Sequence, residues 1–166
     1  MAKTQLHNYS VQEKLNKMDI DLIDVAVDIN ADAVGEIAIA VTPIPNAVAV
    51  NGGSALLQSA VLLTSVHNIT DSIDIVITSD GTSIGSAADT LADVSIASTI
   101  MDGTCGSFRI NNLTDYGGVS VGSKQNIGMV CKAESDTTSL NVWAIAMGTT
   151  DWSSATGVLR LGFVKD

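Results

Sequence analysis

The residues with the best spacing for chemistry are acidic. In "DINADAVGE", Asp28, Asn30 and Asp32 stand at the first, third and fifth positions of a calcium loop. Such a loop needs Gly at its sixth position for the sharp turn and a bidentate Glu at its twelfth. Ala33 and Ile39 stand there instead, so the stretch reads as a polar turn between strands. Asp19, Asp21, Asp24 and Asp28 form an acidic run. Paired carboxylates act as acid and base when one is desolvated and the two flank a substrate. These four are interleaved with apolar residues, the pattern of a strand's wet or partner-facing side.

His7 and His67 are the two histidines, and Cys105 and Cys131 the two cysteines. His67 with a thiol or hydroxyl could in principle form a nucleophile pair. "GGSAL" and "GTCGS" do not match the G-x-S-x-G elbow, and no phosphate or dinucleotide loop is present. Two Cys and two distant His lack metal-ligand spacing. No catalytic, cofactor-binding or metal-binding residue is therefore assigned, and the expectation is a non-enzyme. The thiols are expected to be free and largely buried, since two in a chain of this size are no disulfide framework.

The elements that must carry these residues are strands. The chain has 166 residues, of which 46% are hydrophobic, only 4% aromatic and 16% charged. A core can form, and it must be built from Val, Ile, Leu and Ala, types that suit a pleated surface. From Ile20 onward the apolar residues recur at period two: Val25, Val27 and Ile29; Ile37, Ile39 and Val41; Ile73, Ile75 and Ile77; Val94 and Ile96; Phe108 and Ile110; Val119 and Val121; Ile127, Met129 and Cys131. Turn signals stand between them at "NGG", "SDG", "MDG" and "YGG". "TPIPNA" holds both prolines and reads as a crossing loop or edge segment. "GSALLQSAVLLTSVHN" fits helix or strand, and its β context favours strand. One helical turn is expected near Ala87–Leu91. The fold expected is all-β: an antiparallel β-sandwich or jelly roll over residues 19–166.

Residues 1–18 differ. They hold Lys3, Lys14 and Lys17, three of the eight basic residues. Ser10 and Glu13 have capping-box spacing, and Leu15 and Met18 lie one helical turn apart. A short helix over Val11–Met18, an arm lying on a neighbour and a frayed end all fit. The N-terminus has no signal-peptide pattern and no run is long enough to span a bilayer, so synthesis in a host cytoplasm is expected. The formal net charge of −10 repels nucleic acid and anionic membrane, and favours solubility or a basic protein partner.

Large rings are scarce, so Trp143, Trp152 and Tyr116 are either core anchors or contact anchors. In "LNVWAIAMG", Leu140, Val142 and Ala144 share one strand face, and Trp143 and Ile145 share the other. A strand apolar on both sides is covered twice, by the core and by a subunit or loop. Trp143 and Trp152, with Leu6, Tyr9 and Leu15 of the arm, are the expected partner contacts.

"YGGVSVGSKQNIGMVCKAESDTTSLNVWAIAMGTTDWSSATGVLRLGFVKD" resembles the closing segment of small virion proteins of tailed bacteriophages. The shared pieces are an N-I-G-[LM]-V-x-K-A strand, a T-x-x-L-x-V-W strand and a terminal L-x-L-G-F-x-x-D strand. The upstream segments match more loosely. The resemblance implies a β-sandwich particle component that decorates or cements the capsid, or belongs to the tail, and it carries no catalytic residues. The expected role is a virion decoration protein on the outside of the major capsid lattice, forming a homo-oligomer such as a trimer. The alternatives are a tail or head-fibre component, or a carbohydrate- or host-surface-binding module using Trp152 and Tyr116.

Overall fold

A computed structural model describes residues 20–65, 71–90, 103–111, 113–148, 151–152 and 155–165. The expected arm with Leu6, Tyr9 and Leu15, together with His7, His67, Val94 and Ile96, lies outside the described residues. The strands are β1 (Ile20–Ile29), β2 (Ile37–Ile44), β3 (Ser54–Thr64), β4 (Ile73–Thr78), β5 (Thr104–Ile110), β6 (Thr114–Asp115), β7 (Ser120–Lys132), β8 (Leu140–Ala146) and β9 (Ala155–Lys165). They form a five-stranded sheet, β1-β9-β3-β7-β6, and a four-stranded sheet, β2-β8-β4-β5. Every pairing between these strands is antiparallel.

The pairing has a simple logic. The chain is folded double at the β4–β5 connection, so that β4 pairs with β5, β3 with β7, β2 with β8 and β1 with β9. The doubled ribbon then rolls, which adds the β3–β9 and β4–β8 pairs. That nested arrangement, split over two packed sheets, is a jelly roll.

Period-two alternation places one face of each strand in the core. Val25, Val27 and Ile29 of β1, Leu57 and Leu62 of β3, Ile73, Ile75 and Ile77 of β4, and Leu159, Leu161 and Phe163 of β9 are all buried. They belong to one aliphatic cluster between the sheets. The ambiguous "SALLQSAVLLT" is a strand, with a register shift between Leu57 and Ser59 that absorbs its mixed periodicity. Pro43 sits in β2, an edge strand, where its missing N–H breaks no inner ladder.

The helical turn expected near Ala87–Leu91 is not what the described residues 87–90 form. Ala88 has φ +70°, in the left-handed region, so no right-handed turn passes through it. The Asp89 carboxylate accepts from the Ser86 N–H at 2.7 Å, and Thr90 bridges to Glu36.

The two outer faces differ. Residues 79–90 lap back over the four-stranded sheet, held by Ile37 N–H to Asp89 carbonyl and Ala88 N–H to Ile37 carbonyl, both 2.9 Å. Ile84 of that segment closes a second apolar cluster with Ile37, Val76 and Trp143. This is the second cover that an all-apolar β8 requires, and it is a loop of the same chain. The five-stranded sheet has no such cover among the described residues.

Candidate interaction surface

The bare face is built by alternation. In β1, β3, β7 and β9 the residues between the core-facing ones point outward. These outward positions carry Ile20, Leu22, Val61, Leu63, Val121, Val130 and Val158. Leu22 is 62% exposed, Leu63 42% and Val130 69%. Val61, Leu63, Val121, Val158 and Arg160 line a shallow hollow of about 200 Å³. An adjoining hollow of about 240 Å³ runs past Leu63 and Val158 to Val119 and Thr156. At the other end, Gly162 leaves the space that Ile20 and Leu22 lean across: a Cβ there would lie 3.1 Å from Ile20 Cγ2 and 3.5 Å from Leu22 Cδ2.

Charge on this face is locally cancelled. Asp24 and Arg160 are direct register partners across β1 and β9. The guanidinium donates twice, Nε to Oδ1 at 2.6 Å and Nη2 to Oδ2 at 2.7 Å. Lys165 pairs with Asp21 at 2.7 Å, at the strand ends and on the core-side set of positions. The acidic run is thus mainly the wet edge of β1, with two of its members ion-paired. The result is an apolar strip whose arginine, Arg160, is ion-paired, on a strongly acidic chain.

The Arg160 hydrogen bond holds the Asp24 carboxyl below the ordinary carboxylate range. A depressed folded-state pKa contributes stability above the unfolded value, lost as pH falls through the folded one. An NMR titration is expected to place Asp24 below its usual midpoint of about 3.9, and Arg160→Gln to return it upward. An unchanged midpoint in Arg160→Gln would show that the pair is not formed in solution. The pair is exposed, so its removal is expected to shift overall stability little.

The polar turn after β1 is closed by Glu36, whose Oε2 accepts from the Asp32 N–H at 2.8 Å and the Ala33 N–H at 3.1 Å. Those backbone donors, Asp32's first, lower the Glu36 pKa, whereas the Glu36 charge raises that of Asp32. Among the described residues no three His, Cys, Asp or Glu are grouped to hold a metal ion. None of the described helical geometry is long and apolar enough to cross a membrane.

The expected contact rings sit elsewhere. Trp152 is fully buried in the main core, its backbone N–H donating to the Ala31 carbonyl at 2.7 Å, while its indole Nε1 and that of Trp143 are buried without a hydrogen-bond partner. Trp143 is 9% exposed beneath Ile84. Both rings are core anchors in this chain, which corrects the expectation that they face a partner. Tyr116, at 70% exposure, is the one of the three rings on the surface. The bare face had a signal in the sequence: Leu22, Val61, Leu63 and Val158 are apolar at positions where alternation calls for polar residues.

No protein-family model matches the chain, and no curated protein does. Among solved structures, a chain of Desmodium yellow mottle tymovirus is similar over 87% of this chain and 81% of its own, at 15% identity and a TM-score of 0.25. A superposition that loose assigns neither fold nor function. The jelly roll stands on the strand pairing, and the functional reading on the surface.

Proposed function

We propose that this chain is a structural protein of a tailed-bacteriophage virion, a decoration or cement protein on the outside of the major capsid lattice. The observation that carries the proposal is the uncovered apolar face of the five-stranded sheet, beside an opposite face sealed by the chain's own loop. Its four long strands, spaced about 4.8 Å apart and about ten residues long, present roughly 700 Å². One side of a standard protein interface buries about 800 Å². The occupant proposed is the capsid subunit. A second copy brings the same acidic field, and like fields repel. Jelly rolls serve both viral shells and lectins. Burial of Trp152 takes away half of the ring platform that a carbohydrate module needs. The role is holding: many copies, each adding modest contacts, stabilise a shell by multivalency.

Leu63→Lys at the centre of the face tests this. Full burial of a Leu contributes about 1.5–3 kcal/mol, so capsid affinity is expected to fall at least about tenfold. Particle occupancy by cryo-electron microscopy and co-sedimentation with empty capsids measure it. Unchanged occupancy would remove the face from the interface, and density on the tail would move the protein off the capsid. Lost self-association with capsid binding retained would assign the face to contacts between copies.

A further inference from the structure

We propose that Cys105 and Cys131 form a paired modification site, a dithiol that a peroxide-class oxidant converts into a disulfide joining the two sheets. The basis is their placement. Cys105 lies in β5, at the edge of the four-stranded sheet, and Cys131 in β7 of the five-stranded sheet. The two strands meet where one sheet curls onto the other: a Cβ on Gly106 would lie 3.0 Å from Met129 Cε. There Cys105 packs against the same apolar cluster that holds Cys131. The Cys131 Sγ–H reaches the Met129 carbonyl at 3.8 Å, and the Cys105 sulfur, which accepts the Lys132 backbone N–H, lies within hydrogen-bonding range of the Cys131 thiol. Both are free, Cys131 buried and Cys105 half-buried. A small oxidant can reach Cys105, and the neighbouring Cys131 is in place to resolve the product.

The surroundings divide the roles. The hydrogen bond from Cys131, with the Lys132 N–H, lowers the Cys105 pKa to about 7 against the opposing effect of burial. The same hydrogen bond and burial push Cys131 up. Cys105 is therefore substantially thiolate at neutral pH, the reactive form.

In the first step the Cys105 thiolate attacks a peroxide oxygen. The S–O bond forms, the O–O bond breaks, and hydroxide or alkoxide leaves with the electron pair. Cys105 is then a sulfenic acid. In the second step the Cys131 sulfur attacks the Cys105 sulfur. The S–S bond forms, the S–O bond breaks, and the hydroxyl leaves as water with the Cys131 proton. Two electrons pass in total from the sulfur pair to the peroxide.

The test uses the purified full chain with hydrogen peroxide, followed by tryptic mapping without reductant. Cleavage after Lys and Arg puts Cys131 in the peptide Gln125–Lys132 and Cys105 in the peptide Met18–Arg109. The expected product is these two peptides linked within one chain. The melting temperature is expected to rise by roughly 10 °C and to return on adding dithiothreitol. In Cys131→Ala, Cys105 is expected to stop at a sulfenic acid that dimedone traps. If that variant fails to fold, Cys105→Ser serves, with the link and the thermal shift both lost. A linkage only between chains, Cys105 oxidised to the sulfinic acid beside a free Cys131, or no reaction at all would each overturn the proposal.

Discussion

Trp152→Ala is expected to destabilise the chain by about 3–5 kcal/mol. The ring, on the connection from β8 to β9, is fully buried in the core cluster that also holds Ala31 and Ala155. Alanine would leave a void that the surrounding jelly roll, tied by strand ladders, cannot close. At about 2–4 °C per kcal/mol for a chain of this size, melting is expected roughly 10 °C lower. The measurement is thermal or urea unfolding followed by circular dichroism. A stability change under about 1 kcal/mol would mean the ring lies at the surface in solution. The same substitution made in a contact anchor would leave the isolated chain's stability intact and weaken only association.

Gly157→Ala is expected to cost about 1–3 kcal/mol or more, a large loss for a single methyl group. Gly157 lies in β9 opposite Val27 and Thr64, facing the core side. A Cβ there would stand 2.7 Å from the Leu63 carbonyl oxygen and 3.3 Å from Ile29 Cδ1. The first of these is backbone inside a ladder and cannot swing aside as a side chain can. The strand must shift, and β9 is the strand that both β1 and β3 pair with. Reduced soluble yield and earlier urea unfolding are the expected readouts. Gly118→Ala is the useful control, because nothing lies within 4 Å of the added methyl group and its φ lies outside the left-handed region. An equal loss at the uncrowded Gly118 would show that crowding does not set the cost at Gly157.

Much of the fold was readable in the amino-acid pattern. Val25–Ile29, Ile73–Ile77 and Ile127–Cys131 alternate, and each run lies in a strand with its apolar face inward or nearly so. Both sides of β8 were visibly apolar, and each is covered. What covered the second side was not readable. Residues 79–90 look like an ordinary polar loop, and only Ile84 among them is a large apolar residue. Its contact with Trp143 depends on a chain reversal that no local pattern encodes. The strand order was equally hidden, because pairs such as β1 with β9 join positions more than a hundred residues apart. Trp152 was misplaced for a related reason. It stands outside any alternating run, so its neighbours in sequence carry no information about its burial. The bare apolar face was half legible: the misplaced apolar residues could be seen, but not that they fall side by side on four strands. That Cys105 packs against the cluster holding Cys131 was not legible at all, since the two lie on different sheets.

The doubled winding has a consequence at the chain's ends. Ile20 is the register partner of Val164, so the first and last described residues of the sandwich leave from one corner. A peptide or reporter joined directly to Ile20 or to Lys165 would sit at that corner, beside the Ile20–Leu22 end of the exposed strip. A bulky group there would cover that end of the strip, whereas the β6–β7 hairpin around Tyr116, on the opposite margin of the same sheet, offers an insertion point that keeps the corner clear.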